Sequence, residues 1–432
     1  APPLPSLRAM AECKGSTSCR LAMLGTCIAG FAVASTPPPT FDVDLQLAPR
    51  HRYRGAVRRI LEIHSAEFSF APVFSHWNAT FWHQFPESVF MRTARALQKY
   101  FPEHAEEMSG VAEELRDNGI AVSFEYLSAW AYRHELQHAS TDGLSGLAAC
   151  SGIVVQGPDG SIRHGRNEDL EPRVARNLTL SLRFLGPGAE PLLRGTDWYW
   201  FTTGLRTAMR PRVASISGNF RFAPPRPLGD VLSEIGHGVM PDMLLFRSAL
   251  LDAGVGSFEP LLKHLASVPV ATPSYYVVAG TRAGEGAVVA RAPVNGTAGS
   301  RVLRMGSEDI VGKPPPWALV QSNYDLWEAD HREDPRRTVA TNLLAAYGQD
   351  LGASALGLYA ALSTYPVHNE DTAYTTTMSA GTGEFTSFMR MPIAPAPAEK
   401  KCWEACCKPE SVTYGTQCAE GEHWRGSEHP ER

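Results

Sequence analysis

The sequence lacks the features of a nucleic-acid-binding or membrane-spanning protein. It has no basic run, and 45 acidic against 40 basic side chains give a net charge of −5, so it lacks the positive surface that nucleic acid requires. After residue 34, no segment is long and apolar enough to cross a bilayer. We expect no cofactor and no metal. The 432 residues, 44% of them hydrophobic, can bury a large core in one or two domains.

Cysteine is scarce, and the first of three cysteine groups falls in a predicted signal peptide. An apolar run over residues 21–31 follows Lys14 and Arg20 and precedes Ala32-Val33-Ala34, the small-x-small pattern of signal peptidase. We therefore expect the signal peptide to lie within residues 1–34 and Ser35 to begin the mature chain. Residues 1–9, before Met10, are expected to be translated upstream sequence rather than part of the protein. The alternative is a membrane anchor, for which the run is short.

The last cysteine group lies in a tail over residues 392–432 and contains Cys402, Cys406, Cys407 and Cys418. In an oxidising compartment these four can form two disulfides in three different pairings, which leaves Cys150 as the unpaired thiol. A zinc site is the alternative, although the spacing lacks the usual paired ligands. We expect a small disulfide-bonded cap and assign no activity to it.

Three glycosylation sequons agree with secretory routing. They begin at Asn78, Asn177 and Asn295. Each is weak by itself, because such triplets arise by chance.

The hydrophobic pattern changes at Cys150. Residues 55–140 have apolar positions at helical spacing, whereas the chain after Cys150 has short β-branched and aromatic runs typical of strands. Helices are predicted at about 228–252, 336–347 and 353–363. The pattern indicates a mixed α+β fold with helices outside a sheet system and a helical segment before it.

Cys150 begins a predicted β-hairpin. Residues 150–156 read as a strand, 157–160 as a turn and 161–165 as the returning strand. The hairpin would bring Arg166 and Asp169 beside the thiol, where a cation lowers the pKa of a cysteine. The blander interpretation is a small buried cysteine near a structural salt bridge.

Further motifs carry a resemblance to a known family. Cys150-Ser-Gly-Ile-Val with His164-Gly-Arg-Asn-Glu-Asp, Asn323-Tyr-Asp-Leu-Trp and Asp334-Pro-Arg-Arg-Thr together resemble the N-acylethanolamine acid amidase and acid ceramidase family. The likeness extends over residues 41–391. The stretches that begin at Phe41 and Tyr374 resemble the N-acylethanolamine branch more than the ceramidase branch.

The resemblance implies an N-terminal-nucleophile hydrolase with an αββα sandwich. The precursor would cut itself between Ala149 and Cys150 into a helical α-subunit (35–149) and a catalytic β-subunit (150–391), which stay together as a heterodimer. The new α-amine, with a pKa of roughly 7.7–8.0, would serve as the base for the thiol. The thiolate would then form a thioester with the acyl group, for water to open.

The resemblance also implies roles for the site residues. Asn323 would donate to the oxyanion, Asp169 would hold the α-amino group, and Arg166 and Arg336 would favour the thiolate. Taken singly, Asn323 could be a turn residue and Arg336 part of a solvated helix end.

The chain departs from the family pattern at two places. Asn219-Phe220-Arg221 stands where relatives have a glutamate in the middle, and Arg206 stands where the acid amidase has an aromatic residue. Asn219 remains a candidate for helping the oxyanion, but the substrate pocket cannot be carried over unchanged.

Aromatic side chains recur at helical spacing in the predicted α-subunit: Phe74, Trp77, Phe81, Trp82 and Phe85. They form either a face packed on the core or an exposed surface that sits on lipid vesicles. We expect an amidase for long-chain fatty-acid amides, above all N-acylethanolamines. We expect it in the lysosome or another acidic secretory compartment, or outside the cell. The alternatives are an acid ceramidase and a catalytically silent lipid-binding protein.

Overall fold

The computed structural model describes residues 36–139, 150–188, 190–252, 254–293, 300–330 and 334–390. The predicted signal peptide, the Cys-rich tail with its disulfides, Ala149 and Asn295 lie outside these residues. Among the described residues, six α-helices precede Cys150: α1 (Arg54–His64), α2 (Phe70–Thr80), α3 (Glu87–Tyr100), α4 (Pro102–Asp117), α5 (Phe124–Ala131) and α6 (Arg133–Gln137). Five follow in the described part of the chain: α7 (Leu228–Gly236), α8 (Asp242–Leu251), α9 (Phe258–Ser267), α10 (Arg336–Gly352) and α11 (Ala355–Ser363).

The strands form two sheets. They are β1 (Thr40–Asp44), β2 (Cys150–Gln156), β3 (Ile162–Asp169), β4 (Leu180–Leu185), β5 (Leu193–Asp197), β6 (Thr207–Arg210), β7 (Ala214–Phe220), β8 (Ser274–Ala279), β9 (Gly286–Arg291), β10 (Arg301–Arg304), β11 (Ala318–Gln321), β12 (Thr372–Ser379) and β13 (Glu384–Met389). The five-stranded sheet has the order β11-β2-β3-β12-β13, and the eight-stranded sheet has the order β1-β4-β5-β6-β7-β8-β9-β10. All neighbours are antiparallel except β1 and β4.

The sheets pack face to face between two helical layers. Val154 and Leu319 of the smaller sheet meet Val277 of the larger one in an apolar cluster between them. The outer face of the smaller sheet packs on α10 and α11, and that of the larger sheet packs on the other helices. This order of layers is the αββα sandwich, so the α+β prediction is confirmed.

Glycines let the hairpin approach both neighbouring layers. A Cβ on Gly152 would lie 2.8 Å from Val277 Cγ2 in the other sheet, and one on Gly165 would lie 2.5 Å from Leu362 Cδ1 of α11. Because such distances are far below ordinary carbon contacts, a larger side chain at either place would push the layers apart. Close packing on both faces fixes the position of the hairpin, and with it Cys150.

The helical segment before Cys150 packs as part of the core. Its five repeated aromatic residues are between 3% and 8% exposed. They contact one another and Trp130 in edge-to-face pairs, with one tilted pair between Trp82 and Trp130. The packed-core interpretation is therefore right for this structure, and the exposed aromatic surface is wrong. No helix in the described part of the chain is long and apolar enough to span a membrane.

Most predicted elements are found, with shifted ends. The predicted helix at 228–252 is two helices, because Gly238 takes a left-handed conformation (φ +85°) and Pro241 precedes α8. The helix predicted at 336–347 continues to Gly352 past a break at Gly348 (φ +71°). The returning strand of the hairpin runs to Asp169 rather than ending at Gly165.

Candidate active site

Cys150 lies at the first position of β2, on the face that looks toward the larger sheet. It is 3% exposed and is a free cysteine. Antiparallel register places it directly opposite Glu168 of β3, and Gly152 opposite Arg166. Because side chains of one strand alternate between faces, Arg166 and Glu168 share the face of the thiol.

The thiol lies against a buried cation. Arg166 Nη2 is 3.3 Å from Cys150 Sγ, and Arg166 Nη1 donates to Asn219 Oδ1 at 2.9 Å. The guanidinium is fully buried, and Glu168 forms an ion pair with it. A buried guanidinium stabilises negative charge on sulfur, which is the environment of a reactive cysteine.

The backbone of Cys150 is held by side chains from three other segments. Its N–H donates to Asn323 Oδ1 at 2.9 Å, and its carbonyl oxygen accepts from Arg336 Nη1 at 2.9 Å and from Asn219 Nδ2 at 3.3 Å. Arg336 Nη2 also donates to Asn323 Oδ1 at 2.8 Å. The residues at 150, 166, 219, 323 and 336 therefore meet at one point, although the sequence separates them by up to 186 positions.

Asn323 makes contacts that differ from its expected role. Its Nδ2 donates to the carbonyl oxygen of Phe220 at 2.8 Å, and its Oδ1 accepts from Cys150 and Arg336. Two donors at Oδ1 fix the orientation of the amide. In this continuous chain Asn323 holds the nitrogen of Cys150, a task that the family pattern gives to Asp169. Donation by Asn323 to an oxyanion stays a prediction.

Asp169 faces away from the thiol, toward α10. Its Oδ1 accepts from Thr372 Oγ1 at 2.6 Å, and its Oδ2 accepts from Asn369 Nδ2 at 3.0 Å and Arg336 Nη1 at 3.4 Å. Burial raises the pKa of Asp169 to about 6, although Arg336 favours the ionised form. Asp169 thus reaches Cys150 through Arg336, and its contact with an α-amine also stays a prediction.

Arg336 is the hub between these groups. It is 4% exposed, and Asp334 accepts from its Nε and Nη2 at 2.6 Å each. Burial by itself would lower the pKa of this guanidinium, but Asp334 and then Asp169 raise it above the ordinary value. The solvated-helix-end interpretation of Arg336 is therefore wrong.

Glu168 is the site residue that the sequence interpretation missed. Its side chain is 2% exposed, and its Oε2 lies 3.9 Å from Cys150 Sγ. Strand alternation from Arg166 was the available indication, because residues 166 and 168 of one strand must share a face.

Two departures from the family pattern have structural explanations here. Phe220 stacks on the ring of His138 at 4.4 Å between centroids, so it joins the helical segment to β7. Arg206 forms a buried ion pair with Asp242. The hydrogen-bond partners of Cys150 among the described residues are instead Arg166, Glu168, Asn219, Asn323 and Arg336.

The two sequons in the described residues differ in accessibility. Asn78 is exposed, whereas Asn177 is half-buried and donates its Nδ2 to the carbonyl oxygen of Phe68 at 2.7 Å. The amide nitrogen of Asn78 is therefore the more accessible for glycosylation.

The chain is similar to known hydrolases over much of its length. No family model matches the chain. It is 30% identical over 362 residues to an N-acylethanolamine-hydrolyzing acid amidase of Oryctolagus cuniculus, covering 82% of this chain and 90% of the relative. It is 27% identical over 255 residues to an acid ceramidase of Homo sapiens, covering 56% and 62%. A solved Caenorhabditis elegans N-acylethanolamine-hydrolyzing acid amidase ortholog is 27% identical, covers 54% of this chain and 93% of its own, and has a TM-score of 0.45.

Proposed function

The chain belongs to the family of N-acylethanolamine acid amidases and acid ceramidases. From this premise we propose that it is a self-cleaving cysteine amidase for long-chain fatty-acid amides. It is an amidohydrolase with the N-terminal-nucleophile fold. N-acylethanolamines are the proposed substrates and ceramide the second candidate. The amidase relative supports this order, because its likeness extends over 82% of the chain against 56% for the ceramidase.

The contact between Cys150 Sγ and Arg166 Nη2 at 3.3 Å carries the proposal. Cleavage before Cys150 would turn its nitrogen, now an amide held by Asn323 Oδ1, into an α-amine next to the thiol. Such an amine has a pKa of roughly 7.7–8.0 and can take the thiol proton, which the amide cannot. The thiolate then attacks the amide carbonyl of the substrate, expels the amine and leaves a thioester that water hydrolyses.

The neighbouring groups have matching proposed roles. Arg166 and Arg336 stabilise the thiolate, and Asp169 holds the α-amine once cleavage has freed it. Asn323 stabilises the oxyanion, a contact that requires its Nδ2 to leave the carbonyl of Phe220. A donor of this kind contributes about 10²–10³ in rate. Asn219, which already donates to the Cys150 carbonyl, is the second proposed donor.

We further propose that the mature protein is a heterodimer of residues 35–149 and 150–391 in a lysosome or another acidic secretory compartment. A carrier that keeps the fold without catalysis is the alternative. An enzyme and a carrier would share the same fold and the same predicted secretory route. The chemistry at Cys150 therefore distinguishes them.

The test measures self-cleavage of the chain and hydrolysis of the substrate in the same preparation. After acidic incubation, mass spectrometry should find a fragment that begins at Cys150, and the preparation should hydrolyse a long-chain N-acylethanolamine faster than ceramide. Cys150→Ala should abolish both events. Ser151→Ala is the matched control, because the buried Ser151 hydroxyl has no hydrogen-bond partner among the described residues and its side chain points to the other face of β2. A chain that stays whole while hydrolysing the amide would refute the mechanism, and one that stays whole and inactive would support the carrier.

A further inference from the structure

In the mature enzyme the proposed base is the α-amine of Cys150. Before cleavage this amine does not exist, so the continuous chain needs a different base. The nitrogen of Cys150 is then a backbone amide, and it already donates its hydrogen to Asn323 Oδ1. An amide nitrogen has no basic lone pair to accept the thiol proton. Self-cleavage, on which this inference rests through the proposed function, must therefore use another acceptor.

Two carboxylates near Cys150 could be considered, and their contacts separate them. Both oxygens of Asp169 are already engaged, by Thr372 on one side and by Asn369 and Arg336 on the other. Asp169 also lies on the opposite face of β3 from the thiol. Glu168 Oε2 is also engaged, by Arg166, but it lies on the face of the thiol at 3.9 Å from Sγ, within reach of an S–H donor.

We propose that Glu168 is the base that removes the thiol proton of Cys150 when the continuous chain cleaves itself. The proton moves from Sγ to Glu168 Oε2, and the thiolate attacks the carbonyl carbon of residue 149. The C–N bond then breaks, and its electron pair leaves with the Cys150 nitrogen, which takes the proton from Glu168. Water hydrolyses the resulting thioester, giving the carboxyl end of residue 149 and a free thiol beside a free amine.

Arg166 makes this transfer possible in a buried site. Its Nη2 contacts both Sγ and Glu168 Oε2. Before the transfer the negative charge lies on the carboxylate, and afterwards it lies on the sulfur, so the same guanidinium neutralises it in both states. The net charge of the site does not change, and no isolated charge has to be created away from water, which would be costly.

The experiment measures the rate at which the fragment beginning at Cys150 appears under acidic incubation. Glu168→Gln keeps the shape and an acceptor for Arg166 but cannot take the proton as a carboxylate does. Self-cleavage should slow by about 10²-fold or more, in line with the contribution of a general base. Glu171→Gln is the matched control, because Glu171 is an exposed carboxylate three residues further on. It should cleave at the rate of the unaltered chain.

A purely structural role for Glu168 is excluded by the pH profile and by the conservative variant. The rate in the unaltered chain should follow the ionisation of an acid, and this dependence should disappear in the residual rate of Glu168→Gln. Glu168→Asp should restore part of the rate together with the pH dependence. If Glu168→Gln does not fold, as judged by thermal unfolding, Glu168→Asp decides: a folded aspartate variant that stays whole overturns the proposal.

The outcomes also separate this proposal from the proposed function. If the unaltered chain stays whole, or Cys150→Ala is still cut, the self-cleaving mechanism itself fails. If the unaltered chain is cut, Cys150→Ala stays whole and Glu168→Gln is cut at the unaltered rate, only the assignment of Glu168 fails.

Discussion

His164 should make the fold lose stability in acid, by an amount that the structure allows us to calculate. This fully buried histidine lies on β3, two positions before Arg166. Its Nδ1 is 3.0 Å from Ser215 Oγ and its Nε2 is 2.9 Å from Ser217 Oγ, so it joins β3 to β7 across the space between the sheets. Burial, with a smaller contribution from the charge of Arg166, lowers the pKa of His164 to about 3.

The sign follows from comparing the folded and unfolded chains. The unfolded chain binds a proton at His164 below pH 6.5, whereas the folded chain does not until about pH 3. The stabilising contribution of neutral His164 is therefore complete above pH 6.5 and is lost as the pH falls toward 3. Between pH 8 and pH 5, the change is about 2 kcal/mol, at 1.36 kcal/mol for each pH unit below 6.5.

The assay compares urea unfolding of His164→Asn with that of the parent at pH 8 and pH 5, both in a Cys150→Ala background that prevents cleavage. The substitution should lower stability at pH 8, because it removes one of the two serine contacts. The loss between pH 8 and pH 5 should nevertheless be about 2 kcal/mol smaller than in the parent. His83→Asn, at an exposed side chain, is the control and should leave the parent's pH dependence intact. Equal losses in the parent and in His164→Asn would refute the reasoning.

Two further predictions concern packing. Gly152→Ala places a Cβ 2.8 Å from Val277 Cγ2 and should lower the free energy of unfolding by about 1–3 kcal/mol. Gly229→Ala is the control, because no atom lies within 4 Å of the added Cβ, and it should not lower the free energy of unfolding. Thermal unfolding of both variants tests the prediction. Trp82→Ala should lower the free energy of unfolding by about 3–5 kcal/mol, because Trp82 is 3% exposed within the aromatic cluster. A Trp82→Ala chain that melts like its parent but binds lipid vesicles more weakly would return the exposed-surface interpretation.

The sequence predicts the hairpin well because its information is local. Apolar and small residues at 150–155 and a glycine-containing turn predict two paired strands, and the structure has both. The end of the second strand is not specified in this way, because residues 166–169 are polar and would be expected in a loop. Tertiary contacts to β7 and β12 hold them in the strand. Polar residues in a strand are stable here because buried partners satisfy them.

That difference of four residues changes the chemistry expected of each side chain. If the strand ended at Gly165, Arg166 and Asp169 could both turn toward the thiol. Because it continues, alternation places Arg166 and Glu168 on the thiol face and Asp169 on the face of α10. The meeting of the segments is therefore predictable from motifs, whereas the role of each carboxylate requires knowledge of the strand end.

The absence of the family glutamate at Phe220 and the position of Glu168 are best understood together. Phe220 takes the place of a glutamate on β7 and stacks on the ring of His138. Across the space between the sheets, β3 provides Glu168, whose carboxylate pairs with Arg166. A buried guanidinium without an anion would be strongly destabilising, since desolvation of a charge costs several kcal/mol. In this chain the counter-ion of Arg166 therefore comes from the strand opposite Cys150, which also brings a proton acceptor to the thiol before any α-amine exists.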